Sequence, residues 1–435
     1  MTTEGGLKKP IRHTIDWEDP DFYNLEKIEE EMRRVSDICH TCRRCFNLCN
    51  SFPVLFDKID EGATGEVDSL TRQDMEEVVH NCTLCDMCYM VKCPYVPPHP
   101  FNVDFPHLML RFKAALQKQG GLPRIPQELA KIDRNAKFMG PLGDFINWTT
   151  KIENKPARAI IEKTTGIHKN AAIPKIARKP LISRGETYAP NPDAPAFRKK
   201  KALVYTTCFM NYNSPDVGSK LIKLLAHFGV DVELAYPGCC GMPLLEQGNI
   251  AGVVDQAKRV AEKLSGEMDV IALVPSCALM LKSEWPLLLP ENEHVLNLKE
   301  KTKDIAEYLV DIVKEFGAPE GLKSLGEENI TLHLSCHSRA QNMGQKAGKL
   351  LELIPGTKVH IIDRCAGHGG SWGMMVDHFE VAMKIGKPVF DKAVQIGGPV
   401  TSECPLAKDH IAQGVESSGL RVCHPLELLL ESYGL

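Results

Sequence analysis

Hydrophobic positions fall along this chain in two regimes that change near residue 201. Before it, the apolar periodicity is helical and broken by long polar or proline-rich stretches. TRQDMEEVVHNC reads as a short helix, with Thr71 as N-cap and acidic residues in its first turn. PYVPPHPFNVDFP cannot be helical and leads into HLMLRFKAALQKQ, a helix that Gly120 and Gly121 end. Leu108, Met109, Phe112 and Leu116 make one apolar stripe on that helix. A stripe of this width reads first as the lining of a core; docking on a membrane or a quinone tail is the alternative. From Ala202 onward, strand and helix patterns alternate. ALVYTT and DVELA are β-branched and aromatic runs flanking the amphipathic PDVGSKLIKLLAHFG, and EMDVIALVP continues the series.

Five segments follow: an N-terminal extension (1–30), a helical domain (31–121), a linker (122–201) and two α/β units (202–327 and 328–435). The linker is distinct in charge. From Lys151 to Lys201 it carries thirteen Lys and Arg against four Asp and Glu, with six prolines that limit it to a helix followed by an extended strap. An ordinary solvated linker explains this charge; steering of an acidic partner or of anionic lipid headgroups is the functional alternative.

Composition narrows the class. With 435 residues, 43% of them hydrophobic, the chain can build several cores. A net charge of -4 gives no reason to expect nucleic acid. No apolar run approaches the ~20 residues of a membrane-spanning helix. The start, MTTEGGLKKPIRHTIDWEDP, has no signal core, so the expected location is cytoplasmic, including the inner face of the membrane as a peripheral site. Sixteen cysteines in such a chain point to metal rather than to disulfides.

The cysteines form four groups. Cys39, Cys42, Cys45 and Cys49 follow C-x2-C-x2-C-x3-C, and Cys82, Cys85, Cys88 and Cys93 repeat it with one extra residue before the last. In two-cluster ferredoxins the fourth cysteine of each run ligates the other cluster. That rule assigns Cys39, Cys42, Cys45 and Cys93 to one [4Fe-4S] cluster and Cys82, Cys85, Cys88 and Cys49 to a second. Zinc is the competing metal, but structural zinc sites pair two C-x2-C halves and leave a third cysteine surplus. Two departures bear on loop geometry: Asn50 follows Cys49, with the proline delayed to Pro53, and four residues precede Cys93.

The other eight cysteines lie at the carboxyl ends of strands, where open α/β sheets place their ligands. Cys208, Cys239, Cys240 and Cys277 belong to the first unit. ITLHLS precedes Cys336, KVHIID precedes Cys365 and GGPVTSE precedes Cys404. From Cys208 to Cys277 is 69 residues and from Cys336 to Cys404 is 68, so the arrangement is a duplication offset by about 127, aligning VPSCALM with TSECPLA. Ala366 then stands opposite Cys240. In the second unit Cys423 is expected to join Cys336, Cys365 and Cys404; failing that, His337, His368 or His424 completes the shell, or one iron stays open. The fold class is α+β multidomain, a helical bacterial-ferredoxin-like domain for two [4Fe-4S] clusters followed by a duplicated α/β unit.

Two such runs followed by two cysteine-rich units resemble the iron-sulfur subunit of anaerobic glycerol-3-phosphate dehydrogenase, that of glycolate oxidase and heterodisulfide reductase components, a family with CCG-type domains. IIEKTTGIH, CPYVPPHPFNVDFPHLMLRFKA, CAGHGGSWG and SECPLA look closest to a branch often encoded beside a rubrerythrin. The resemblance implies an electron-transfer subunit of an oxidoreductase, with one or two further iron-sulfur clusters in the CCG units. Its implied partner is a flavoprotein dehydrogenase or a rubrerythrin-like protein, with a quinone or membrane surface as further possibilities. The family's fullest motif holds a noncubane cluster on five thiolates. Here Met280 and Ala407 stand where that alignment puts its last cysteine, and Ala366 breaks the second CCG pair, so disulfide reduction does not carry over. No nucleotide or flavin site is read: AGHGGSWG lacks the G-x-G-x-x-G register, and its glycines let backbone pass close to a cluster. Two alternatives remain, a terminal reductase with an open-iron cluster in the second unit and a zinc-bound docking scaffold.

Overall fold

The structure, a computed structural model, describes residues 10–435. Positions 1–9 of the expected N-terminal extension lie outside the described residues. Four helices build the first domain: α1 (Leu25–Cys42), α2 (Ser51–Asp60), α3 (Arg72–His80) and α4 (Phe105–Lys118), with a π-turn at Cys88–Lys92. Each starts or stops for a local reason. Asn24 accepts from the N–H groups of Glu26 and Lys27 to cap α1, and Arg43, in the left-handed region, ends it. Thr71 and Asp74 form the capping box that opens α3. Asp104 caps α4, and Pro106 occupies its first turn, where a missing N–H is harmless.

Leu108, Met109, Phe112 and Leu116 of α4 are all buried, and the Phe105 ring stacks on Phe52 of α2 at 4.7 Å. Burying each such side chain contributes roughly 1.5–3 kcal/mol. The stripe is therefore core, and the alternative of a membrane or quinone face on this helix is corrected.

The linker forms four short helices, α5 (Arg124–Leu129), α6 (Ile132–Met139), α7 (Gly143–Thr150) and α8 (Lys155–Thr165), before the strap begins. Within 151–201 the expected helix followed by a strap is present, as α8 and the segment after it. Arg158 pins the strap to α8, donating to the carbonyls of His168 and Ala171 at 2.7 Å each and of Lys169 at 2.8 Å.

The first unit runs β1 (Lys201–Tyr205), α9 (Cys208–Tyr212), α10 (Pro215–His227), β2 (Asp231–Ala235), α11 (Met242–Glu246), α12 (Ile250–Leu264), β3 (Asp269–Ala272), α13 (Pro275–Leu279), α14 (Trp285–Leu288), α15 (Glu293–Lys301), β4 (Thr302–Asp304) and α16 (Ile305–Phe316). The second runs β5 (Asn329–His333), α17 (Cys336–Ala340), α18 (Lys346–Leu351), β6 (Lys358–Ile362), α19 (Phe379–Ile396), β7 (Val400–Ser402), α20 (Pro405–Gly414), β8 (Val422–Cys423) and α21 (Pro425–Ser432). Both sheets are parallel, in the orders β2-β1-β3-β4 and β6-β5-β7-β8. The shared order is that of a duplicated unit.

Register corrects the alignment inside that repeat. Tyr205 pairs with Ala272 and His333 with Ser402, and helices α13 and α20 both open on a proline, Pro275 and Pro405, 130 positions apart. Cys404 therefore lies opposite Val274, and Cys277 lies opposite Ala407. The cysteine-to-cysteine spacing concealed this, because each unit keeps a different member of one C-x-x-C pair.

A buried charge node docks the first domain on the first α/β unit. Arg12 bonds Asp86 at 2.7 Å, Asp104 at 3.0 Å and Glu284 at 3.1 Å, and its guanidinium covers the Tyr89 ring. His107 bonds Glu284 at 3.1 Å. Burial works against every charge here, yet His107 and Arg12 outweigh it and hold the Glu284 carboxyl down at about 2. For His107, burial and Arg12 press its pKa down, but Asp104 and Glu284 prevail and leave it raised. Its share of the stability is thus full below its ordinary 6.5 and is lost as pH rises through the elevated value. Arg12→Ala should destabilise the docking by about 3–5 kcal/mol, because three carboxylates lose a buried partner. Urea unfolding checks this, and His107→Gln should abolish the loss of stability above neutral pH.

Candidate metal centres

Cys39, Cys42, Cys45 and Cys93 line one hollow, walled by Phe52 and Phe56. The end of α1 supplies Cys39 and Cys42, the loop after it Cys45, and Pro94 turns the chain away just after Cys93. Burial, then the nearby Cys93, pushes Cys45 up to about 12; burial with the same neighbour raises Cys39.

Cys49, Cys82, Cys85 and Cys88 form the second group. Burial raises Cys49 and Cys88, and the next largest influences on both are Cys85 and Cys82. Leu84 and Asp86, at φ 51° and 62°, curl the Cys82–Cys88 loop by alternate left-handed residues. Lys113 reaches in to donate to the Cys82 carbonyl at 2.6 Å. Cys88 also feels Cys45, so the two groups adjoin.

In the first unit, Cys208, Cys239, Cys240 and Cys277 converge at the carboxyl ends of β1, β2 and β3. The Cys208 and Cys239 sulfurs are 3.7 Å apart. Hydrogen bonds from Cys208 and Cys240 hold the Cys239 thiol well below its ordinary value, while its partners are pushed up. Asp133 of α6 accepts from the Cys239 N–H at 2.9 Å and from the Tyr236 hydroxyl at 2.5 Å. Trp285 donates to the Cys240 carbonyl at 3.0 Å.

In the second unit three thiols meet. Burial raises Cys336, and the influences next in size are Cys85, Cys404 and Cys365. His368 Nε2 lies 3.8 Å from Cys404 Sγ, while its Nδ1 accepts from the Gly370 N–H at 3.0 Å. That acceptor role leaves the ring hydrogen on Nε2, directed at the sulfur; His368 is arranged as a donor to Cys404, not as a ligand.

Cys423 is a correction. It lies within β8, paired with Thr401, and the charges that act on it are Arg421, Glu427, Glu431 and Lys408. Although it ends β8, its side chain is buried with Leu426 and Leu428, in a different core cluster from Cys404, Ala366 and Ala407. His424 is also excluded, since its Nδ1 caps α21 by accepting from Leu426 at 3.2 Å. His337 Nδ1 pairs with Ser276 across the two units at 2.7 Å.

The second unit also abuts the second cysteine run. Helix α17 packs on the π-turn, and the His368–Gly370 loop lies on Thr83 and Glu246. A Cβ on Gly369 would stand 2.6 Å from Thr83, and one on Gly370 2.5 Å from Glu246, both at positive φ. AGHGGSWG is thus a close-approach loop.

These donor sets suit iron-sulfur clusters. Sulfur is the soft donor that such clusters take, and buried thiols with raised pKa become thiolates only beside a positive centre. Among the described residues no three Cys, His, Asp or Glu side chains close in to the spacing of a single metal ion.

Comparison with known proteins gives two family matches, a citrate utilization protein B Fer4-like domain over residues 31–119 and a cysteine-rich CCG domain over 202–282. The chain is 27% identical over 316 residues to an anaerobic glycerol-3-phosphate dehydrogenase subunit of Escherichia coli, covering 70% of this chain and 76% of that one. It is 29% identical over 239 residues to a fumarate reductase (CoM/CoB) subunit of Methanothermobacter marburgensis, covering 53% of this chain and 46% of that one. It is 28% identical over 197 residues to lactate utilization protein A 1 of Bacillus mycoides, covering 42% and 77%. The first two are named as subunits of oxidoreductases. The resemblance read from the cysteines holds, and the zinc scaffold loses its support.

Asp133, Lys113 and Glu246 were not legible as site residues, because each is far in sequence from the thiols it serves. In metal-free protein, mild oxidation should join Cys208 to Cys239, whose sulfurs lie 3.7 Å apart. Peptide mass spectrometry should find that bond and none from Cys423 to Cys336, Cys365 or Cys404.

Proposed function

We propose that this chain is the electron-transfer subunit of a multi-subunit oxidoreductase, taking single electrons through two [4Fe-4S] clusters and passing them to the second α/β unit. The observation that carries this reading is the contact of Cys336 and the His368–Gly370 loop with the Cys82–Cys88 run. Cys39, Cys42, Cys45 and Cys93 would hold one cluster, and Cys82, Cys85, Cys88 and Cys49 the other. Cys208, Cys239, Cys240 and Cys277 would hold a third group in the first unit, and Cys336, Cys365 and Cys404 a fourth. A cubane supplies reversible one-electron storage at a potential set by hydrogen bonds and solvent exposure.

The residues around these thiols do the rest. Phe52 and Phe56 line the hollow of the first group. Lys113, buried beside Cys82, offsets negative charge at the second. His368 presents a hydrogen to Cys404. Relatives named as subunits of oxidoreductases support a redox partner; in this reading it would be a flavoprotein dehydrogenase or a rubrerythrin-like protein. Among the described residues no helix is long and apolar enough to cross a membrane, in keeping with a cytoplasmic or peripheral protein.

A second reading rests on the second unit having three converging thiols, with Ala366 and Ala407 where others would stand. An iron there without a protein ligand would make the chain a terminal reductase. Turnover of a disulfide or quinone by the isolated chain would favour this reading, and no turnover without a partner favours the first.

Low-temperature EPR of anaerobically purified variants tests the ligand sets. Cys93→Ser should remove the same cubane signal as Cys39→Ser, and Cys49→Ser the same signal as Cys82→Ser. Loss of the second signal in Cys93→Ser would contradict the crossed assignment.

A further inference from the structure

The peptide that joins Gly238 to Cys239 is held from both sides. Its carbonyl accepts from the Tyr205 hydroxyl at 2.7 Å, and its N–H donates to Asp133 Oδ2 at 2.9 Å. Tyr236, in the same loop, gives its hydroxyl hydrogen to Asp133 Oδ1. Both oxygens of one linker carboxylate are therefore spent on the loop that carries Cys239 and Cys240. An acidic residue in the first turn of a helix is ordinary; one whose two oxygens serve a cysteine loop 106 positions away is not.

The duplication separates what belongs to the scaffold from what was added. His333 ends β5 as Tyr205 ends β1, and its Nε2 donates to the carbonyl of Arg364, the residue before Cys365, at 2.9 Å. The hold on the carbonyl is thus common to both units. The hold on the N–H is not: among the described residues no side chain takes the Cys365 N–H. Asp133 is an addition that the linker makes to the first unit alone.

The added charge has no cation of its own. Lys131 and Arg134, its neighbours on the chain, both turn to Glu128 at 2.6 Å, and Arg259 bonds Gln256. Gln256, a neutral amide, donates to Asp133 Oδ2 only at 3.5 Å. Among the described residues no Lys or Arg nitrogen pairs with this half-buried carboxylate. Its field reaches Cys208, where it adds to the rise that the bond to Cys239 and burial produce. A fixed negative charge beside a cluster opposes the arrival of an electron, and a backbone N–H committed to oxygen is one donor fewer for sulfur; both lower a potential.

We propose that Asp133 is a positioning residue which the linker contributes to the first α/β unit: it fixes the Cys239 peptide and, through its unpaired charge, lowers the reduction potential of the iron-sulfur centre that Cys208, Cys239, Cys240 and Cys277 would hold. The two units, built on one scaffold, are thereby set apart in potential by a residue outside both. This rests on the reading of those four thiols as a cluster site.

The test is potentiometric titration of the full cluster-loaded chain followed by low-temperature EPR, with the first-unit signal identified as the one that Cys208→Ser removes. Asp133→Asn keeps an oxygen for the Cys239 N–H and discards the charge, and should shift the midpoint potential of that signal upward. Tyr236→Phe takes a hydrogen bond from the carboxylate and leaves its charge barer, and should shift it downward. In both variants the ferredoxin-like clusters should keep their wild-type potentials, which also reports an intact fold. No shift in Asp133→Asn, or shifts of one sign in both variants, as simple loosening of the loop would give, overturns the proposal. If Cys208→Ser loses neither iron nor a signal, the first unit holds no cluster, and the proposal falls together with the reading it rests on. That failure shows in iron content, whereas failure of the Asp133 assignment shows in the potential with the iron retained.

Discussion

A thiolate cannot be buried without a positive partner, and this constraint organises the molecule. Cysteines that burial holds above their ordinary pKa stand in groups at the ends of helices and strands. As thiols they would be a poor core, with weak hydrogen bonds and mutual repulsion on ionisation. Held by iron they become the fixed points around which two loops and two sheet edges close. In the proposed assignment Cys49 and Cys93 cross between the two runs and would tie α1 to the π-turn.

The duplicated unit shows how one architecture diverges. Strand order and register are shared, yet the first unit keeps the later cysteine of its C-x-x-C pair and the second unit the earlier. The first has four converging thiols, with Asp133 of the linker bonded to their loop. The second has three, with His368 beside Cys404 and a glycine loop pressed on Thr83. The sparser set lies against the second cysteine run. That arrangement suits a chain in which the second unit exchanges electrons and the first serves another contact.

Much of this was legible in the sequence, because its signals are local. The two cysteine runs, the Thr71 cap, the glycine end of α4 and the strands before Cys208, Cys336 and Cys365 follow from short patterns. What failed were inferences across distance. Spacing alone aligned Cys277 with Cys404, since a one-residue difference is easily hidden by loops of unequal length; only strand register and the paired prolines expose the shift. Cys423 looked available because its sequence neighbours resemble a rim, but its side chain packs in a different core cluster from Cys404. The stripe on α4 and the exposed Phe145 and Trp148 of α7 are alike in composition, and burial alone separates them. The Arg12 node joins residues 74, 92 and 272 positions apart, beyond any motif.

The central claim is that iron-sulfur chemistry extends from the two cysteine runs into the second α/β unit. Iron and acid-labile sulfide analysis with low-temperature EPR, on anaerobically purified wild-type protein and Cys336→Ser, tests it most directly. Two four-iron clusters account for about eight irons. The account predicts more than that in the wild type, loss of part of the excess in Cys336→Ser, and an altered signal from the neighbouring Cys82–Cys88 cluster. About eight irons in both proteins, with identical spectra, would contradict it and leave the second unit as a docking scaffold.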